Sequence, residues 1–123
     1  MQFRIFANST EGPRQHGFFL KPGRYRFSLS RRKGYDELEA WEYTNKVQRW
    51  KNNFKLFSAG NMATVTFFGT GKNYHSAAEA FDDYTPVDFE VVGENGWPML
   101  AYISDNPDKD NRGGLTISIE NVA

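Results

Sequence analysis

The sequence has no cysteine and two histidines, His16 and His75. Disulfide staples, thiol nucleophiles and zinc–thiolate sites are therefore excluded together, and two widely separated histidines do not form a zinc cluster. An excess of one charge is also missing, since 15 Lys and Arg cancel 15 Asp and Glu. No global field recruits nucleic acid or an anionic membrane. There is no run of about 20 apolar residues to cross a bilayer, so no membrane insertion is expected. Met1-Gln2-Phe3-Arg4-Ile5-Phe6 lacks the apolar core of a signal peptide. The expectation is cytoplasmic synthesis, with release or incorporation into a virion left open. Asn8-Ser9-Thr10 matches a glycosylation sequon, but no secretory signal accompanies it.

Catalytic signatures are scarce too. The chain contains no Gly-x-Ser-x-Gly elbow, no His-x-x-x-His pair and no phosphate-binding loop; Gly69-Thr70-Gly71 reads as a turn. Asp82-Asp83 offers adjacent carboxylates, but such pairs in a polar loop are ordinarily just solvated. The protein is read as a non-enzyme.

What remains is a chain of 123 residues with 16% aromatic and 24% charged side chains. That is the composition of a folded domain, and the length suits a single one over residues 1–123. Its dominant signal is period-two alternation, which places successive side chains on opposite faces of a strand. In Arg24-Tyr25-Arg26-Phe27-Ser28-Leu29-Ser30 the apolar residues share one face. Phe3, Ile5 and Ala7 alternate with Arg4 and Phe6, Phe54 and Leu56 begin another strand, and Val87, Phe89 and Val91 alternate with Asp88 and Glu90. Lys21-Pro22-Gly23, Ala59-Gly60-Asn61 and Gly93-Glu94-Asn95-Gly96 supply turns. Seven or so short strands without βαβ units predict an all-β antiparallel sandwich with long loops. Tyr25, Phe27, Leu29, Val65, Phe67, Phe89, Val91, Leu115, Ile117 and Ile119 are the expected core.

Two long excursions interrupt the strands. In Ser30–Lys51, Asp36 three residues before Glu39 is able to cap a short helix carrying Leu38, Trp41, Val47, Trp50 and Phe54 inward, although the spacing breaks between Trp41 and Val47. Its basic residues, Arg31, Arg32, Lys33, Lys46, Arg49 and Lys51, interleave with Trp41, Tyr43 and Trp50. A solvated loop anchored by its tryptophans is preferred over a phosphate- or base-binding patch. In Lys72–Pro86, Ser76–Phe81 suits about one helical turn.

The most distinctive stretch is Leu100–Ile119, read as strand, acidic loop, strand. Leu115, Ile117 and Ile119 alternate after a loop containing Asp105, Asn106, Asp108, Asp110 and Asn111. A hairpin needs only two to five loop residues, so the extra length calls for a purpose. These side chains offer the hard oxygen ligands that calcium prefers, and Gly113-Gly114 lets the backbone fold back toward them. The same residue types also make ordinary surface turns.

Asp110-Asn111-Arg112-Gly113-Gly114-Leu115-Thr116-Ile117-Ser118-Ile119, preceded by Ser104-Asp105-Asn106-Pro107, resembles the carboxy-terminal end of the soluble bacterial calcium-dependent galactophilic lectins. There an Asp-x-Pro turn is followed by two adjacent Asn or Asp residues, x-Gly and the last strand. Phe89, Gly96, Leu100, Ile103 and the Pro22-Gly23 turn fit the same layout.

The resemblance implies a galactose-binding-like, jelly-roll sandwich. It places Asp105, Asp110 and Asn111 at calcium-ligand positions and Lys109 where a backbone carbonyl binds the ion. The expected function is calcium-assisted binding of a glycan or glycoconjugate through the Asp105–Gly114 loop. Asn106 and Asp108 are further polar contacts, and Trp97, Trp50 or Tyr74 is the expected stacking surface. Weak single sites gain from multivalency, so a homo-oligomer is expected. The alternative is a structural or interaction protein, such as a virion capsid-decoration or tail component, whose aromatic residues anchor interfaces.

Overall fold

The computed structural model describes residues 1–31, 40–42, 50–60, 62–104 and 111–122. They form two antiparallel sheets facing each other, as the alternation predicts. The strands are β1 (Gln2–Phe6), β2 (Gln15–Leu20), β3 (Gly23–Ser30), β4 (Trp41–Glu42), β5 (Trp50–Lys51), β6 (Phe54–Ser58), β7 (Thr64–Phe68), β8 (Val87–Val91), β9 (Trp97–Tyr102) and β10 (Arg112–Asn121). One sheet runs β5-β4-β10-β3-β8, with β1 also paired to β10. The other runs β2-β9-β6-β7. Among the described residues no helix is long and apolar enough to cross a membrane.

Strand β3 shows how the pattern becomes packing. Tyr25 and Phe27 point inward and are buried, with Leu29 partly buried beside them. On the outer face Arg24 lies opposite Glu90 and Arg26 opposite Asp88, with Arg26 Nε donating to Asp88 Oδ1 at 2.9 Å. Phe27 packs edge-on against Phe68 of the other sheet at a centroid separation of 5.0 Å, and Phe68 meets Phe54 in the same way at 5.0 Å. Edge-to-face rings let the negative face of one meet the positive edge of the next. The core is thus aromatic where the sheets meet.

Val91, Leu115, Ile117 and Ile119 are buried as expected, and Phe89 is partly buried with its ring against Phe27, Phe68 and Trp97. Val65 and Phe67 are not: each keeps 51% of its surface exposed. The reason is register. Phe54, Leu56 and Ser58 of β6 face the core, and they lie opposite Phe68, Thr66 and Thr64. Directly opposed residues share a sheet face, so Val65 and Phe67 turn outward opposite Phe57 and Lys55. A one-residue change in register reverses every side chain.

The second departure concerns the acidic loop. Strand β9 pairs with β2 and β6, whereas β10 pairs with β1, β3 and β4. Strands β9 and β10 therefore lie in different sheets and do not form a hairpin with each other.

Trp41 and Trp50 are both buried, at 2% and 4% exposure. Trp41 enters the main core and its Nε1 donates to Asn53 O at 2.9 Å. Trp50 packs with Ala40, Ala77, Ala80 and Tyr74. The alanines belong in part to helix α1 (Ala77–Asp82), whose N-cap Ser76 accepts from Glu79 N through Oγ. Buried Asn52 ties this corner together: Nδ2 donates to Ala80 O at 2.7 Å and Oδ1 accepts from Thr70 N at 3.0 Å. Of the residues that a helix after Asp36 would carry inward, Trp41, Trp50 and Phe54 lie instead in β4, β5 and β6; residues 32–39 and 43–49 lie outside the described residues.

Candidate ion and ligand site at the entry to the last strand

The site is built where β1 ends and β10 begins. Asn111, just before β10, is 3% exposed. Its Nδ2 donates to Ala7 O at 3.1 Å, while Asn8 Nδ2 donates to Asn111 O at 3.0 Å. Two side-chain amides thus clamp the strand exit to the loop exit. Asn8 Oδ1 accepts from Thr10 N at 2.9 Å and Thr10 Oγ1 at 2.7 Å, an Asx turn that fixes its own orientation. Ala7 N donates to Gly113 O, and Gly113 N donates to Glu11 Oε1, each at 3.0 Å.

Gly113 is required here. Its φ is +85°, and a Cβ would stand 2.4 Å from Ala40 O. The next contact outward is ionic: Arg112 Nε donates to Glu42 Oε2 at 2.7 Å. Glu42 is almost fully buried on β4, and the Arg112 guanidinium also lies over the Trp50 ring at 5.2 Å. A buried carboxylate needs such a partner because desolvation penalises an isolated charge heavily.

Fixing Asn111 Nδ2 on Ala7 O determines which way the amide faces. Its oxygen, Oδ1, is buried and receives no hydrogen bond among the described residues. An amide oxygen held without a donor is a hard, oriented acceptor, chemically suited to a cation such as Ca²⁺. The other expected ligands, Asp105, Lys109 and Asp110, and the polar contacts Asn106 and Asp108 lie outside the described residues. Among the described residues no group of three or more His, Asp or Glu is placed to hold a metal.

The stacking residues need correction. Trp97 is 8% exposed and packs edge-on against Phe89, and Trp50 is 4% exposed. Buried indoles present no open face to a sugar, so neither suits that role. Tyr74 is half-buried. It bridges to Trp50, which lies opposite Glu42, which lies opposite Arg112. Three strand spacings separate the Tyr74 backbone from that of Arg112 by roughly 14 Å, although the Arg112 guanidinium reaches over the Trp50 ring that Tyr74 packs against. Its hydroxyl donates to Asp83 and is within 2.7 Å of Thr70 Oγ1. Desolvation and the Asp83 acceptor push the phenol's pKa up. Asp82 faces Arg31 at 3.7 Å.

Asn8 and Glu42 are structurally central but are not singled out by the chemistry of the acidic loop. Asn8 carries a signal nonetheless: Asn at a strand end with Thr two residues on is Asx-turn sequence. Glu42 has none, because only the β4–β10 pairing brings it to Arg112. Comparison with protein families, curated proteins and solved structures finds no match for this chain.

Proposed function

We propose that the protein is a calcium-assisted carbohydrate-binding module with its ion at the loop preceding β10. The observation that carries this reading is the Asn111 amide, buried, oriented by Ala7 O and left with its oxygen unpaired among the described residues. Such an oxygen costs about 1–3 kcal/mol when unsatisfied; a cation would relieve it. Asp105, Asp110 and the Lys109 carbonyl complete the proposed protein ligands, with Asn106 and Asp108 at the sugar's edge. When bound, calcium supplies coordination positions for two sugar hydroxyls. The chain's own contribution is the clamp of Asn8, Ala7 and Asn111, which holds one ligand in place before the ion arrives.

Calcium titration with glycan-array binding tests the proposal. Calcium should raise the melting temperature by mass action, Asp110→Ala should abolish that rise, and a chelator should remove glycan binding. A flat calcium titration sinks the ion, and binding that survives chelation sinks the calcium-assisted mechanism.

A second reading, a structural component such as a capsid-decoration or tail protein, is supported by a different feature. Phe19, Val65 and Phe67 are each 51% exposed on the outer face of the four-stranded sheet, and exposed aromatic residues are the usual anchors of assembly. A defined multimer that binds no glycan would favour this reading.

A further inference from the structure

Strand β7 ends the four-stranded sheet, and among the described residues no strand pairs with its outer side. Natural sheets guard such edges with charge, proline, bulges or a covering segment, because unpaired backbone groups invite another strand. The other sheet follows that practice at β8, where Asp88 and Glu90 pair with Arg26 and Arg24. Strand β7, Thr64-Val65-Thr66-Phe67-Phe68, has no charged residue and no proline. Its outward side chains are the half-exposed Val65 and Phe67.

We infer that β7 is an association edge for a second copy of this chain, joining antiparallel to β7 of that copy around a two-fold axis near Thr66. The strand is self-complementary in this arrangement. With Thr66 opposite Thr66 of the second copy, Val65 meets Phe67 of the second copy and Phe67 meets its Val65, all on the outer face. Aromatic and β-branched residues directly opposed across antiparallel strands stabilise the pairing. The apolar row continues inward on each copy, from Val65 to Phe57 on β6 and Leu100 on β9.

Charge selects this geometry over stacking the two sheet faces. Lys55 lies between Phe67 and Tyr102 in the middle of the outer face. Face-to-face packing about a central axis would bring two ammonium groups together, whereas edge pairing keeps them separated by the two joined β7 strands. The whole chain has a net charge of zero, so nothing at longer range opposes the encounter. The joint between two five-residue strands is smaller than the roughly 800 Å² per partner of a standard interface, so a concentration-dependent equilibrium is expected. The inference is independent of calcium.

Sedimentation equilibrium provides the test. The wild-type mass should rise with concentration from 14.1 kDa towards twice that value, with or without chelator. Val65→Lys/Phe67→Lys and Val65→Glu/Phe67→Glu should each remain monomeric while keeping the wild-type near-ultraviolet circular dichroism. Mixing the two variants should restore the dimer, since each introduced lysine then faces an introduced glutamate; loss of the fold could not produce that rescue. A wild-type mass that stays at one chain up to the solubility limit overturns the inference. So does continued association of the lysine variant, or failure of the folded variants to pair when mixed. If the wild type is monomeric and both variants lose retention on an insoluble polysaccharide, the face belongs to a glycan instead.

Discussion

Asn8 and Asn111 face each other across the start of the outermost ladder, each amide donating to backbone of the opposite segment: Asn8 Nδ2 to Asn111 O and Asn111 Nδ2 to Ala7 O. Both residues are at least nine-tenths buried. Asn8→Ala removes one arm of the clamp and the Asx turn to Thr10 together. It should lower stability by about 1–3 kcal/mol, the cost of stranding a buried backbone acceptor, measured by urea denaturation with an unchanged slope.

Arg112 and Glu42 should behave asymmetrically. Arg112→Met leaves the Glu42 carboxylate buried without its cation; loss of one partner of a buried pair costs about 3–5 kcal/mol, here towards the low end because Arg112 is about half exposed. Glu42→Met/Arg112→Met removes both charges and should recover most of the loss. A double variant as unstable as Arg112→Met would show that the packing over Trp50, and not the charge, matters.

Gly113→Ala tests the approach of β10 to Ala40. The added methyl meets backbone oxygen at 2.4 Å in a left-handed conformation, so neither neighbour nor dihedral can give cheaply. A fall in melting temperature larger than that of Gly93→Ala is expected, since Gly93 has nothing within 4 Å of its Cβ position.

Alkali should act through Tyr84. Its ring is buried, its hydroxyl donates to Phe27 O at 3.2 Å, and desolvation pushes its pKa well above the ordinary phenol value. A raised folded-state pKa gives stability that is fully present below the unfolded pKa of about 10 and falls as pH rises beyond it. Stability followed from pH 8 to 12 should fall above that point in the wild type and less steeply in Tyr84→Phe.

How far the sequence discloses these features depends on what controls each one. Strand β3 is legible because Arg24, Arg26 and Ser28 alternate with Tyr25, Phe27 and Leu29, so only one face can be buried. Strand β7 is not, because both Val65-Phe67 and Thr66-Phe68 are plausible inner faces and only the pairing with β6 decides. Trp41 and Trp50 are correctly read as anchors, since an indole in a long excursion gains most by burial; the same burial removes Trp50 from ligand contact. Nothing in the spacing between Tyr102 and Arg112 shows that the two strands belong to different sheets. The buried Asn111 amide becomes visible only once Ala7 is beside it.

The hydrogen bond from the Met1 amino group to Ile119 O spans 118 positions, and all of β1 pairs with β10. Strand β10 is also the strand that joins β3 and β4 to β1. During synthesis, β1 must therefore wait without its ladder partner until β10 has followed it. Closure of such distant contacts places the protein among slow, non-local folders, in the millisecond-to-second range typical of all-β domains. A chain stalled before β10 would leave Phe3 and Ile5, buried in the finished fold, without the strand that β1 pairs with.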